Sequence, residues 1–167
     1  MEKINTRQEL GKLFQHHSLY GRGVEIGVKE GWNALNILHD YKGHLYLVDI
    51  WDNIDDLNHC KELLKDYLHR VTFLRCSSVD AAGLFNNLFL DFVYIDADHS
   101  YKSVKSDHES WESKVRKGGI ISGHDYSIQF QGVMKFVDEL SKTEKVFFTD
   151  GDLWEGVAYE SWYYFKQ

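Results

Sequence analysis

Apolar positions along the chain follow two rhythms. Short apolar runs bounded by glycine, acids or serine recur at Val24–Val28, Leu45–Asp49, Val71–Leu74, Phe92–Ile95, Ile120–Ile121, Val146–Phe148 and Val157–Phe165. Runs of that length and composition read as strands, most of them buried on both faces. Between them, apolar residues return at three- and four-residue spacing, which predicts amphipathic helices. Leu10, Leu13 and Phe14 mark the first, behind a Thr6–Glu9 capping box. Residues Trp32 to Tyr41 mark the second, and Leu57, Cys60, Leu64, Tyr67 and Leu68 place a third over 55–69. A short helix is predicted over Val79–Phe85, another through Val104, His108, Trp111 and Val115, and a last one from Gly132 to Ser141. Gly118-Gly119 breaks the chain before Ile120. Strands that alternate with helices predict an α/β fold with a mostly parallel sheet and helices on both faces. The turn signal Asp150-Gly151 lies between the last two strands with no helix, which makes the final strand antiparallel.

At 167 residues the chain is expected to form one domain, 1–167, with a substantial core. It is 43% hydrophobic and 15% aromatic, a globular composition. No apolar run reaches membrane length and the charged N-terminus lacks a signal-peptide pattern, so a cytoplasmic protein is expected. Cys60 and Cys76 lack CxxC spacing and read as reduced core residues. The net charge of −7 argues against nucleic acid or anionic membrane as a partner, since both ask for a basic face.

The candidate chemistry gathers at strand exits. Asp96, Asp98 and His99 follow one strand, and His124 and Asp125 end the next. A right-handed crossover puts both exits on one sheet edge, where ligands bind in open α/β sheets. Carboxylates gathered there repel unless one takes a proton or a cation sits among them. Oxygen ligands with one imidazole suit magnesium, manganese or a similar divalent ion. The alternative is that these acids cap helices and face water. The first strand runs into the loop Gly27–Gly31, whose glycines permit close approach of backbone to a ligand. Glu25, an acid inside that strand, needs a partner. Asp49, at the exit of the second strand, could accept both hydroxyls of a ribose or serve as a turn residue. Ser77 or Ser78 could bond a base edge, although Ser78 reads more simply as an N-cap.

These stretches resemble the class I S-adenosylmethionine-dependent methyltransferases over nearly the whole chain. VEIGVKEGWNALNIL is similar to that family's first motif, LYLVDIW to the second and FLRCSSVDAAGLF to the third, with Cys76-Ser77 where Gly-Asp is usual. DFVYIDADHSYKSVKSD, KGGIISGHDY and QGVMKFVDEL are similar to the bacterial metal-dependent O-methyltransferase branch that acts on sugars and catechols. The resemblance implies a Rossmann-like seven-stranded sheet with strand seven antiparallel beside strand five. It implies S-adenosylmethionine as cofactor, with Glu25, Gly27 and Gly31 at its methionine part, Asp49 at the ribose and Ser77 near the adenine. Asp96 is implied both as a cofactor neighbour and, with His124 and Asp125, as a ligand of magnesium or manganese. His124 departs from the usual carboxylate or amide, and an imidazole favours softer ions. Asp98 matches the general-base position of the sugar-directed branch, and His99 is a rival base.

The implied reaction is methyl transfer to a hydroxyl of a small molecule, with no nucleic acid and no membrane involved. The chain has almost none of the N-terminal extension that shapes acceptor pockets in such enzymes. A partner subunit in a homo-oligomer could supply that wall, or the pocket stays open. Two other classes stand beside this one. A nicotinamide-dependent oxidoreductase would use the same ribose acid but needs G-x-G-x-x-G, which is absent. A non-catalytic member of the fold would need no cluster of Asp96, Asp98 and Asp125.

Overall fold

The computed structural model describes residues 4–154 and 156–167. Five strands, β1 (Arg22–Ile26), β2 (His44–Asp49), β3 (Val71–Arg75), β4 (Leu90–Ile95) and β5 (Val115–Tyr126), pair in parallel in the order β3-β2-β1-β4-β5. Beyond β5 lie β6 (Phe147–Phe148), the short β7 (Asp152–Trp154) and β8 (Val157–Phe165). β8 inserts between β5 and β6 and runs antiparallel to both. The expected seven-stranded mixed sheet is therefore present, with its last strand beside β5. β7 is an addition: the Asp150-Gly151 turn leads into it, and it pairs with β8 off the main path.

Period-two alternation sorts the strand side chains onto two layers. In β4, Phe92 and Tyr94 join the core beneath α1 (Leu10–His16), α2 (Trp32–Asp40) and α3 (Ile54–Leu63). Val93 and Ile95 join the core beneath α4 (Ser78–Ala82), α5 (Tyr101–Trp111) and α6 (Gln131–Leu140). Covered on both faces, all six β4 residues are buried, as expected of a central parallel strand. Phe14 of α1 stacks on Phe92 with ring centroids 3.7 Å apart. On the opposite face Trp111 meets Phe85 at 5.2 Å.

Several local expectations are corrected. The helix over 55–69 ends at Leu63 and tightens into a 3-10 stretch, Lys65–Arg70. There the Arg70 guanidinium donates to the carbonyls of Leu38, Tyr41 and Gly43, the open end of α2. Thr6 makes no side-chain cap; the Glu9 carboxylate instead accepts the Asn5 N–H at 2.8 Å. Val115 is not helical but opens β5 opposite Leu90. The break at Gly118-Gly119 is a register shift inside a continuous strand, with Gly118 at φ +73°. Cys60 is buried, whereas Cys76 is only half-buried at a cleft wall. No helix among the described residues is long and apolar enough to cross a membrane.

Candidate active site

The exits of β1, β2, β4 and β5 open onto one cleft of about 1300 Å³. Every residue singled out in the sequence lines it: Glu25, Gly27, Gly31, Asp49, Ser77, Asp96, Asp98, His99, His124 and Asp125.

One half of the cleft is built on the glycine loop. Gly27 takes φ +81°, and a Cβ there would fall 2.1 Å from the Asp96 carbonyl oxygen. The close approach of the β1 and β4 exits thus leaves no room for a side chain at Gly27. Asp49 fastens the loop from below. Its Oδ2 accepts the N–H groups of Val28 and Lys29 at 2.8 and 2.9 Å, and its Oδ1 accepts that of Trp51 at 2.7 Å. The Trp51 indole N–H closes the circuit on the Lys29 carbonyl at 2.8 Å. A carboxylate offers about four acceptor positions, so Asp49 serves the loop first and has little capacity beyond it.

Glu25 is only 1% exposed. Its Oε1 accepts from Asn33 Nδ2 at 3.1 Å, while its Oε2, equally covered, has no hydrogen-bond partner in the protein. Burial pushes its carboxyl up to about 8, against the pull of the Asn33 bond. At neutral pH the isolated side chain is mostly protonated.

The other half is built on β4 and β5. Between Gly123 and Tyr126 the pairing with β8 shifts register, and Asp125 takes φ +60°. Such an irregularity re-aims side chains at a strand end, and here it brings His124 and Asp125 toward Asp96. One ligand atom from each of Asp96, His124 and Asp125 lies within 4.8 Å of the others. His124 Nδ1 lies 2.9 Å from Asp125 Oδ1. His99 Nε2 lies 2.6 Å from Asp125 Oδ2 and 4.0 Å from Asp96 Oδ1.

The charges follow from these contacts. Hydrogen bonding to Asp125, then to Asp96, raises His99 to about 10, so its imidazole is a cation at neutral pH. Burial alone would raise Asp125, but its bonds to His124 and His99 prevail and hold it well below the usual carboxylate range. Asp96 is raised, first by burial and then by Asp125, against the pull of His99, His124 and Arg7. His99 thus supplies the counter-charge among the acids, and Phe130 covers its ring at 4.1 Å between centroids. Two carboxylates and one imidazole this close could hold a divalent cation. Such an ion would take over part of the charge that His99 now balances.

Asp98 is exposed, accepts the Ser100 N–H at 2.7 Å, and is drawn below its ordinary range by the Ser100 donors. At the far end, Ser77 rather than Ser78 caps α4: its Oγ accepts the Asp80 N–H at 3.2 Å and donates to the Asp80 carboxylate at 2.6 Å. Ser78 instead accepts the Trp111 indole N–H at 2.9 Å. Sequence reasoning missed Asn33, Arg7 and Phe130. For Asn33 the signal was the demand of a buried Glu25 for a donor. Arg7 and Phe130 reach the site from distant segments and carry no local mark.

Residues 24–126, more than half of the chain, match a family model described as a methyltransferase domain. No curated protein sequence matches the chain. Among solved structures, it is similar to the O-methyltransferase TomG of Streptomyces achromogenes, involved in tomaymycin synthesis and solved in complex with SAM. There the TM-score is 0.75 at 14% identity, covering 96% of this chain and 79% of that one. An O-methyltransferase from Bacillus cereus in complex with SAH gives a TM-score of 0.70 at 15% identity, over 96% of this chain and 80% of that one. An rRNA methylase from Streptococcus thermophilus gives 0.74 at 12% identity, over 99% of each chain. These likenesses show a shared fold.

Proposed function

The chain belongs to the class I S-adenosylmethionine-dependent methyltransferases, through its methyltransferase domain, and from that premise we propose that it methylates a hydroxyl group of a small molecule with the help of a divalent ion. One observation carries the reading: the glycine loop and the cluster of Asp96, His99, His124 and Asp125 face a single cleft. A methyl donor and a hydroxyl acceptor need that proximity, because methyl transfer from a sulfonium is an in-line displacement governed by positioning. The O-methyltransferases of S. achromogenes and B. cereus, solved with SAM and SAH, support the cofactor and the hydroxyl acceptor.

In this reading Glu25 and the loop from Gly27 to Gly31 receive the amino-acid end of the donor. Asp49 holds the loop in shape and offers its remaining acceptor capacity to the ribose. Ser77 lies on the adenine side. Asp96, His124 and Asp125 would hold magnesium or manganese, whose contribution is to lower the pKa of the acceptor hydroxyl. His99 takes the acceptor proton, and Asp125, 2.6 Å away, stabilises the imidazolium that results. Asp98, exposed and drawn down by Ser100, is the weaker base. Because the metal-free His99 is charged at neutral pH, its neutral fraction and the rate should both grow as pH rises into the alkaline range, and an ion held by Asp96 and Asp125 would bring that rise to lower pH.

The test is transfer of labelled methyl from S-adenosylmethionine to panels of phenols, sugars and short RNAs, with and without chelator. Expected are labelled phenol or sugar, loss of transfer in chelator, and its return with manganese or magnesium. His99→Gln should cost roughly 100-fold or more and abolish the alkaline rise; Asp98→Asn should cost less. Full activity in chelator would remove the ion from the mechanism. Label found only in RNA would replace the small-molecule acceptor, which the net charge of −7 speaks against.

A further inference from the structure

We propose that Arg7 receives the carboxylate of the cofactor's amino-acid end, so that the N-terminal segment and Glu25 together form a receptor for a zwitterion. The inference rests on the methyl-donor reading above and assigns a cofactor role to a residue outside the glycine loop.

The starting point is the covered, unpartnered Oε2 of Glu25. A buried carboxyl oxygen without a hydrogen-bond partner costs free energy in either protonation state, and Glu25 lines the cleft. A ligand ammonium would satisfy it and, by its charge, draw the carboxyl into its ionised form. In an amino acid that ammonium comes with a carboxylate on the same carbon. A receptor for the pair therefore needs a cation close to Glu25 and on the same side of the sheet.

Strand alternation fixes which side that is. Val24 and Ile26 point into the core beneath α4, α5 and α6, so Glu25 points the other way, toward Asn33 of α2. In β4, Tyr94 belongs to that same layer, and Asp96 continues its period two residues on. β1 and β4 are neighbours, with Glu25 paired to Tyr94. Glu25, Tyr94 and Asp96 thus lie on one face of the sheet, and of these Glu25 and Asp96 line the cleft.

Arg7 reaches this face at Asp96. Its Nη1 lies 3.9 Å from Asp96 Oδ2, its side chain is 31% exposed, and it lines the cleft. Its charge acts on Glu25, Tyr94 and Asp96 alike. At 3.9 Å the contact with Asp96 is an ion pair beyond hydrogen-bond length. A guanidinium matches the planar, bidentate geometry of a carboxylate better than a lysine does.

The segment that carries Arg7 is fastened on both sides. Ile4 is 1% exposed in the core. The Asn5 carbonyl accepts the Asp150 N–H at 2.8 Å, and the Thr6 carbonyl accepts the Glu9 N–H at 3.1 Å. Arg7 is presented from a seated turn, so little ordering is left to be done on binding.

The test is calorimetric titration with two probes, S-adenosylhomocysteine and its decarboxylated analogue S-adenosyl-3-thiopropylamine. Wild type should prefer the carboxylate-bearing probe. Arg7→Gln should weaken S-adenosylhomocysteine by about 10- to 100-fold and leave the decarboxylated analogue within about twofold. Arg7→Lys should recover part of the loss. Retained binding of the analogue certifies that the variant is folded. Equal effects of Arg7→Gln on both probes, or none on either, would overturn the proposal while leaving the methyl-donor reading intact. Failure of wild type to bind either probe would instead overturn that underlying reading.

Discussion

At Glu25 a carboxyl is held where ionisation is disfavoured, and the consequence is measurable as a dependence of stability on pH. The group's ordinary value is 4.5 and burial raises it to about 8. Between those values the folded chain binds a proton that the unfolded chain has released. Stability contributed by this site is therefore full below pH 4.5 and falls as pH rises through 8. One proton sets a limit of about 1.4 kcal/mol per pH unit. Differential scanning calorimetry of wild type and Glu25→Gln should show the wild-type Tm declining more steeply from pH 5 to 8, roughly the span of the shift. Parallel profiles would mean that Glu25 is already ionised in the fold. An acid within a buried strand was legible in the sequence as a group in want of a partner, and so were the acids at the strand exits. The charge on His99 was not, because it depends on Asp125 approaching to 2.6 Å from another strand. The division of labour between Ser77 and Ser78 was equally hidden, since Trp111, 33 positions away, claims Ser78.

Among the elements, the β1-to-α2 connection leaves no room for a side chain at its first glycine. Gly27 combines φ +81° with a backbone neighbour at 2.1 Å from any added Cβ. Neither obstacle can be relieved by rotating a side chain. Gly27→Ala should cost about 2–4 kcal/mol in denaturant unfolding and abolish binding of S-adenosylhomocysteine, because the loop would have to leave β4. Gly83, at the end of α4, has a right-handed φ of −63° and a nearest neighbour at 3.2 Å. Gly83→Ala should change stability by no more than about 1 kcal/mol. Similar losses at both positions would mean that close approach at Gly27 is not what holds the loop. At this scale the sequence was most readable where local rhythm and tertiary demand agree, as in β4 and α5. It misled where a contact from elsewhere overrode the rhythm. Val115 keeps helical spacing from Trp111, yet it pairs with Leu90 and becomes strand. The residues from Lys65 to Arg70 keep the spacing of α3, yet Arg70 is drawn to the carbonyls at the end of α2.

Across the whole molecule, the cleft lies where the two core layers meet at one sheet edge, so ligands bound there bear on the stability of both. A ligand that binds only the folded chain adds RT ln(1 + [L]/Kd), about 2.7 kcal/mol at a hundredfold excess over Kd. For a domain of this size that corresponds to a Tm increase of roughly 5–10 °C. S-adenosylhomocysteine should produce such a shift through the β1 and β2 half of the cleft. Manganese should produce a separate one through the β4 and β5 half, by supplying positive charge to Asp96, whose ionisation is disfavoured first by burial and then by Asp125. The two halves have different anchors, so Asp125→Ala should erase the manganese shift and keep the cofactor shift. Asp49→Ala should do the reverse, since it releases the N–H groups of Val28 and Lys29 that shape the loop. Asp96 belongs to both halves, through the Asp96 carbonyl oxygen against Gly27 on one side and the cluster around Asp125 on the other. Asp96→Asn should therefore lose the manganese shift and also move the cofactor shift, through the ion pair with Arg7. Thermal unfolding of the three variants with each ligand alone would decide. A manganese shift that survives in Asp125→Ala would place the ion elsewhere on this acidic chain and leave His99 alone to balance the acids at the strand exits.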